Sequence, residues 1–133
     1  MQARTFYISL LIAVIAAPLV AQEGHPLVGS WHGNWGSGPT NRRDITFVMD
    51  WDGKAVSGIV NPGFDQLVLQ NTKLDPKDWS FHFEVDNKEG NTTVHCTADG
   101  KIDKLGSDRR TLTGTFTCGA IKGDFKLTRD RDY

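Results

Sequence analysis

Thr111-Leu112-Thr113-Gly114-Thr115-Phe116-Thr117-Cys118-Gly119-Ala120-Ile121-Lys122-Gly123-Asp124-Phe125-Lys126-Leu127-Thr128-Arg129 decides the fold. Before Gly119 the odd positions are all threonine, and Leu112, Phe116 and Cys118 fall on even ones. After Ala120 the apolar residues Ile121, Phe125 and Leu127 are separated by polar ones. A period of two is the mark of a strand with one buried face. Gly119-Ala120 fits a type II′ turn, with glycine at the position that needs a positive φ. That turn sets Phe116 against Gly123 and Leu112 against Leu127, and leaves the threonines to solvent.

The same alternation extends upstream. No segment after Ala21 sustains a helical period, and Gly, Pro, Asn and Asp punctuate the chain. Strands are expected at 28–36, 43–51, 54–61, 66–73, 79–86, 91–104, 109–118 and 121–129. Asp52-Gly53 reads as a two-residue type I′ turn that pairs Met49 with Val56, Phe47 with Gly58 and Ile45 with Val60. The loop Asn87-Lys88-Glu89-Gly90 sets Phe83 against Val94 and Phe81 against Cys96. Three hairpins then share one apolar face, as a fixed register demands. Closing the sheet hides that face and removes its edges. The expected fold is all-β, an eight-stranded antiparallel up-and-down β-barrel. A two-sheet β-sandwich is the alternative, and it needs longer connections than these. Interior glycines Gly33, Gly58, Gly114 and Gly123 read as places where strands bend or bulky neighbours crowd.

The chain has 133 residues, enough for one domain. Lys and Arg number 15 against 16 Asp and Glu, which argues against a nucleic-acid partner. Its start reads as an address. Arg4 precedes a nearly unbroken apolar run from Phe6 to Val20, and Leu19-Val20-Ala21 ends on a small residue. This pattern is a secretory signal peptide, residues 1–21, cut after Ala21. The run is shorter than the roughly 20 residues a membrane span needs, and Pro18 interrupts it. Removing 21 of 133 residues leaves 22–133 as a single barrel domain of 112 residues. The expected location is secreted or periplasmic, where a disulfide can form.

Gly29-Ser30-Trp31 opens the first strand, and Arg129 ends the last on the inward parity. In this the chain resembles the calycin superfamily, the lipocalin- and avidin-like small secreted barrels. The resemblance implies that Arg129 packs over Trp31 at the closed end, a structural pair. Its size and short loops are more similar to avidins than to full-length lipocalins. Leu27-Val28-Gly29-Ser30-Trp31-His32-Gly33-Asn34-Trp35-Gly36 also resembles the opening of nitrobindin-like haem barrels. Those use a histidine near the C-terminus. The last histidine here is His95, so no haem or other cofactor is expected.

Cys96 and Cys118 share the inward parity, and a turn centred near Ser107 pairs them across two strands. A disulfide is expected, stapling strands six and seven. The second hairpin sets His82 opposite His95, both outward, with Glu84 beside them. Such a trio can hold zinc or copper, but two exposed polar residues on a sheet face is the plainer reading, and no metal is assigned. Acidic residues fall outward or on turns, so no inward acid pair is available for acid–base chemistry. No nucleophile elbow or phosphate-cradling loop occurs, and the chain is not read as an enzyme. Arg42-Arg43 and Arg109-Arg110 read as solvated loop ends. Asn91-Thr92-Thr93 is a glycosylation sequon where the host's secretory pathway uses one.

Trp31, Trp35, Phe47, Trp51, Trp79, Phe81, Phe83, Phe116 and Phe125 share the inner parity. Either they fill the barrel or they wall a cup. The mouth is expected at loops 37–42, 61–65, 87–90 and 119–120. Trp35, Ile45, Val60, Leu67, Phe83 and Phe116 lie near it as ligand-binding candidates, with Phe64 as a lip. Such a site suits a small hydrophobic or aromatic ligand. The alternative is a filled barrel that blocks a protein partner, as small avidin-like secreted protease inhibitors do, through the arm Gln22–Pro26 or the mouth loops.

Overall fold

A computed structural model of the protein describes residues 25–131. The expected signal peptide, and most of the arm that follows it, lie outside the described residues. Nine antiparallel strands run as β1 (Gly29–Gly38), β2 (Asn41–Trp51), β3 (Val56–Val60), β4 (Leu67–Val68), β5 (Gln70–Asp75), β6 (Ser80–Glu89), β7 (Thr92–Asp103), β8 (Thr111–Cys118) and β9 (Ile121–Arg129). They form one sheet in the order β4-β3-β2-β1-β9-β8-β7-β6-β5, rolled into a nearly closed barrel. Each pairing but one joins strands adjacent in sequence. The exception is β1 with β9, where Trp31 lies opposite Arg129 and Gly33 opposite Leu127.

The strand count differs from expectation at one place. The fourth expected strand, 66–73, is broken at Leu69. Its first part, β4, pairs with β3 through Ile59–Val68 and Val60–Leu67. Its second part, β5, pairs with β6. The Leu69 amide still reaches β3, donating to the Gly58 carbonyl at 2.9 Å, while its side chain is buried. Asn71 then takes a left-handed φ of 48°. The chain thereby switches partners, and a single segment serves both edges of the sheet.

Turn chemistry sets the registers. At Gly119-Ala120 only the glycine takes a positive φ, 62°, and Phe116 lies opposite Gly123 as the type II′ turn requires. The β2–β3 connection is longer than expected. The Asp52 carboxylate accepts hydrogen bonds from the Lys54 and Ala55 amides, both at 2.8 Å. These side-chain bonds favour a four-residue turn over a two-residue one. Met49 therefore faces Gly58, and Phe47 faces Val60, a slip of two residues. The β6–β7 hairpin slips by four. Glu89 pairs with Thr92, and the turn is Gly90-Asn91 with Gly90 at φ 67°. Phe83 lies opposite Ala98, and Phe81 opposite Gly100. Even-numbered slips keep every side chain on its face, so the inner parity survives.

The core runs along the barrel axis. Leu27, Trp31, Met49, Phe81, Leu112 and Leu127 are its largest fully buried members. Trp31 donates from Nε1 to the Leu27 carbonyl at 2.9 Å, satisfying the polar atom of a buried indole. Arg129 donates from Nε to the Val28 carbonyl at 2.7 Å and packs across Gly29, whose φ is +127°. Arg110 also ties this end, donating to the Pro26 carbonyl at 3.0 Å, and so is not a merely solvated loop end. Trp51 departs from the inner set, whereas Trp79 is partly buried and packs against the core. Trp51 sits at the rim, 38 % exposed, stacked on His25 with ring centres 4.4 Å apart. Trp79 lies in the turn before β6 at φ 60°. At Gly33 an added Cβ would stand 1.8 Å from the Lys126 carbonyl oxygen, so no other residue fits where β1 and β9 draw together.

Cys96 and Cys118 are paired directly across β7 and β8 and joined as a disulfide. The link closes a loop of 22 residues. Loop-closure entropy then assigns it about 3 kcal/mol. Urea unfolding with and without reductant checks this: the reduced protein should lose about that much while keeping the strand signature in circular dichroism.

Candidate functional site

Below the expected mouth the barrel interior does not close completely. A cavity of about 100 Å³ is lined by Trp35, Ile45, Phe47, Val60, Leu67 and Phe83, continued by Phe116 and Phe125. Strand direction explains the placement. Trp35 and Ile45 come from the β1–β2 end, Val60 ends β3, and Leu67 begins β4. Trp35 meets Phe116 edge-on at 5.0 Å, and Phe47 meets Phe83 edge-on at 5.4 Å. These contacts leave ring faces and edges turned to the cavity. The Cys96–Cys118 disulfide and Ala98 form part of the wall. Asn61 and Asn87 are its polar members, and no charged residue lines it. Asn61 is already engaged: its Oδ1 accepts from the Thr46 amide at 3.0 Å.

Six of the seven residues expected at the ligand site therefore meet at one cavity. The seventh, Phe64, does not. It is 100 % exposed at the tip of the 61–66 loop and takes no part in the lining. The loop folds outward because the Gly63 carbonyl and amide are engaged by Gln66, through its amide and its side chain. Sequence reading passed over Val85 and Ala98. Both lie on the inner parity of β6 and β7, and the four-residue slip moved them into view.

A second cluster lies outside the barrel, on β5, β6 and β7. The slip places Asp99 opposite His82 and Asp86 opposite His95, so the histidines do not face one another. Glu84 lies between them. Its Oε2 meets His82 Nε2 at 2.6 Å, and its Oε1 meets His95 Nε2 at 2.7 Å. The Nδ1 atoms face Asp99 at 2.8 Å and Asp86 at 2.7 Å. From β5, Gln70 donates to Asp86 at 2.9 Å and Asn71 to Glu84 at 3.0 Å. The hydrogen bonds hold Glu84 down to about 2 and pull Asp86 below its ordinary value. The hydrogen bond to Glu84 raises His82, and that to Asp86 raises His95. Both rings thus meet the one Glu84 carboxylate, reaching it from ladder positions on either side. Among the described residues no group of three or more His, Cys, Asp or Glu could hold a metal ion.

Set against protein-family models, characterised proteins and solved structures, the chain matches none.

The cluster gives stability a pH window. Raised histidines stabilise fully below the ordinary imidazole value of 6.5, and that part is lost as pH climbs through the raised values. A lowered Glu84 stabilises fully above 4.5, and that part is lost as pH falls towards about 2. His25, lowered by burial, has the opposite sign to the other two histidines and remains in both proteins compared. The stability difference between the natural protein and a His82→Gln/His95→Gln variant should therefore peak between pH 4.5 and 6.5. Urea titrations at pH 3, 5.5 and 9 measure it; a flat difference would contradict the charged network.

Proposed function

We propose that the protein is an exported calycin-like barrel that binds a small neutral molecule, apolar or aromatic, through a single ring or alkyl end. The observation that carries this reading is the uncharged aromatic cavity at one end of the barrel. Its volume of about 100 Å³ sets the scale. An apolar cavity of about 150 Å³ takes benzene, and sites for drug-sized ligands run to several hundred. The cavity is smaller than that, so the ligand inserts the edge of a ring or the end of an alkyl chain, and the rest of it stays in the mouth. A dry cavity without charge excludes anions and cations by their desolvation cost. The lining holds no acid, histidine, serine or lysine, which favours binding over catalysis. The disulfide agrees with an oxidising compartment, as the leader-like N-terminus suggests. Among the described residues no helix is long and apolar enough to cross a membrane.

One observation favours a second reading, a barrel that engages a protein partner. Phe64 is a wholly exposed aromatic on a formed loop, and aromatic side chains of that kind are frequent anchors at interfaces.

Native mass spectrometry of the exported protein, purified from its own host, separates the two. Proton spectra with added benzene, indole and butanol complete the test. On the leading reading an adduct appears, or one probe shifts Trp35, Phe83 and Phe116 together. Ala98→Leu, which fills the cavity, should weaken that shift at least tenfold. A bare mass with no shift from any probe overturns the reading and leaves Phe64 and a protein partner.

A further inference from the structure

A second recess lies at the other end of the barrel, where the β2–β3 and β5–β6 turns meet the arm that enters β1. Its volume is about 400 Å³, and sites that take whole small molecules begin at about 300 Å³. It shares no residue with the aromatic cavity. Two parts of the chain that share no ladder build it. Trp51, Lys54 and Val56 come from the end of β2, the turn and β3. Lys73, Leu74, Pro76 and Trp79 come from β5 and the turn before β6. Thr72 Oγ1 donates to the Val56 carbonyl at 2.6 Å and joins the two sides. His25 and Pro26 of the arm close the third side.

The walls are flat and apolar. Trp51 is stacked on His25 with ring centres 4.4 Å apart. A bulky residue rarely takes a positive φ, yet two backbone bonds hold Trp79 there. Its amide donates to the Asp75 carbonyl at 2.8 Å, and its carbonyl accepts from the Ile102 amide at 2.9 Å.

The polar side chains of the recess, Thr72 apart, bring donors. His25 Nδ1 accepts from the Leu27 amide at 3.2 Å, so Nε2 carries the ring proton. Burial lowers the His25 pKa and favours that neutral ring. The indole N–H groups of Trp51 and Trp79 have no hydrogen-bond partner among the described residues, and Lys54 and Lys73 form no ion pair there. Lys54 stands on one side and Lys73 on the other. Among the described residues no carboxylate lines the recess. The acids of the adjoining turns are turned to backbone amides: Asp52 to Lys54 and Ala55, Asp75 to Lys77, and Asp78 to Ser80. An ionised carboxylate only accepts. An apolar slot edged by donors and positive charge is therefore complementary to a flat body that bears an anionic acceptor.

We propose that this recess is a second binding site, for a small aromatic carboxylate: the ring packs against the indoles of Trp51 and Trp79, and the carboxylate accepts from Lys54 and Lys73. One indole and one lysine come from each side, so a bound ligand bridges β3 and β5. The site is independent of the proposed cavity ligand, because the uncharged cavity excludes an anion by its desolvation cost.

The indole N–H resonances of the four tryptophans report on it, in nitrogen-15-labelled full-length exported protein titrated with indole-3-acetate and with neutral indole-3-acetamide. Indole-3-acetate should shift Trp51 and Trp79, leave Trp31 and Trp35 in place, and bind at least tenfold more tightly than the amide. Lys54→Gln/Lys73→Gln changes two exposed residues and spares the core. It should bring the acid down to the affinity of the amide without moving the Trp31 resonance. Equal affinity for acid and amide in the natural protein overturns the proposal, as does an acid titration that leaves Trp51 and Trp79 unmoved. An undiminished preference for the acid in the variant overturns it too. Shifts of Trp51 and Trp79 on raising the protein concentration alone would assign the recess to a second copy of the chain instead. The natural protein alone decides the matter if the variant fails to fold. The cavity is read at Trp35 and the recess at Trp51 and Trp79, so either site can fail while the other stands.

Discussion

The barrel consists of two meanders, and its integrity depends on how they are joined. β1–β4 and β5–β9 each build themselves from neighbouring hairpins. On one side they meet in the long β1–β9 ladder, where Gly33 lets the strands come together. On the other they are joined by the covalent turn at Leu69, the bond from its amide to the Gly58 carbonyl and the bond from the Thr72 hydroxyl to the Val56 carbonyl. A ladder of backbone hydrogen bonds forms one regular wall; single polar contacts form a yielding one. This asymmetry gives the molecule a firm side and a seam.

The interior follows the same division. At the end tied by Arg129, Arg110 and the Trp31 indole, Trp31, Leu27 and Met49 are fully buried. The opposite end leaves a small aromatic cavity flanked by the disulfide. Rings that meet edge-on, as Trp35 and Phe116 do, fill space less completely than interdigitated aliphatic chains. Among the described residues no charge is buried in this core; the charged cluster of Glu84, Asp86 and Asp99 with the two histidines lies outside, on the sheet face.

Much of this was legible in the sequence, for a physical reason. Period-two alternation depends only on which face a side chain occupies, and burial enforces that everywhere. Hence the inner set apart from Trp51 and the cavity end could be read in advance. The Cys96–Cys118 pairing also needed the turn near Ser107, and the Trp31–Arg129 pair was implied by the family resemblance alone. Register is a finer matter. Shifting a hairpin by two or four residues preserves parity, so the hydrophobic pattern is silent about it. The choice fell to local chemistry: the Asp52 carboxylate holding two amides, and Gly90 reaching a left-handed φ. The break at Leu69 also escaped notice, because a strand that changes partners keeps its alternation. In the outer cluster the sequence groups His82, Glu84 and His95, but the four-residue slip adds Asp86 and Asp99 as the histidines' cross-strand partners. With the correct register, His82-x-Glu84-x-Asp86 opposite His95 and Asp99 reads directly as alternating charge.

The β1–β9 ladder has a consequence for how the protein comes into being. His32 contacts Asp130 across 98 residues. The firm wall therefore cannot form until the last strand is available, however early the hairpins appear. Contacts so distant along a chain close slowly, because their loop entropy is spent before they reward it. A polypeptide synthesised from its N-terminus thus remains open until Ile121–Arg129 has been made. Until then the apolar inner faces of the finished hairpins have no closed wall to cover them.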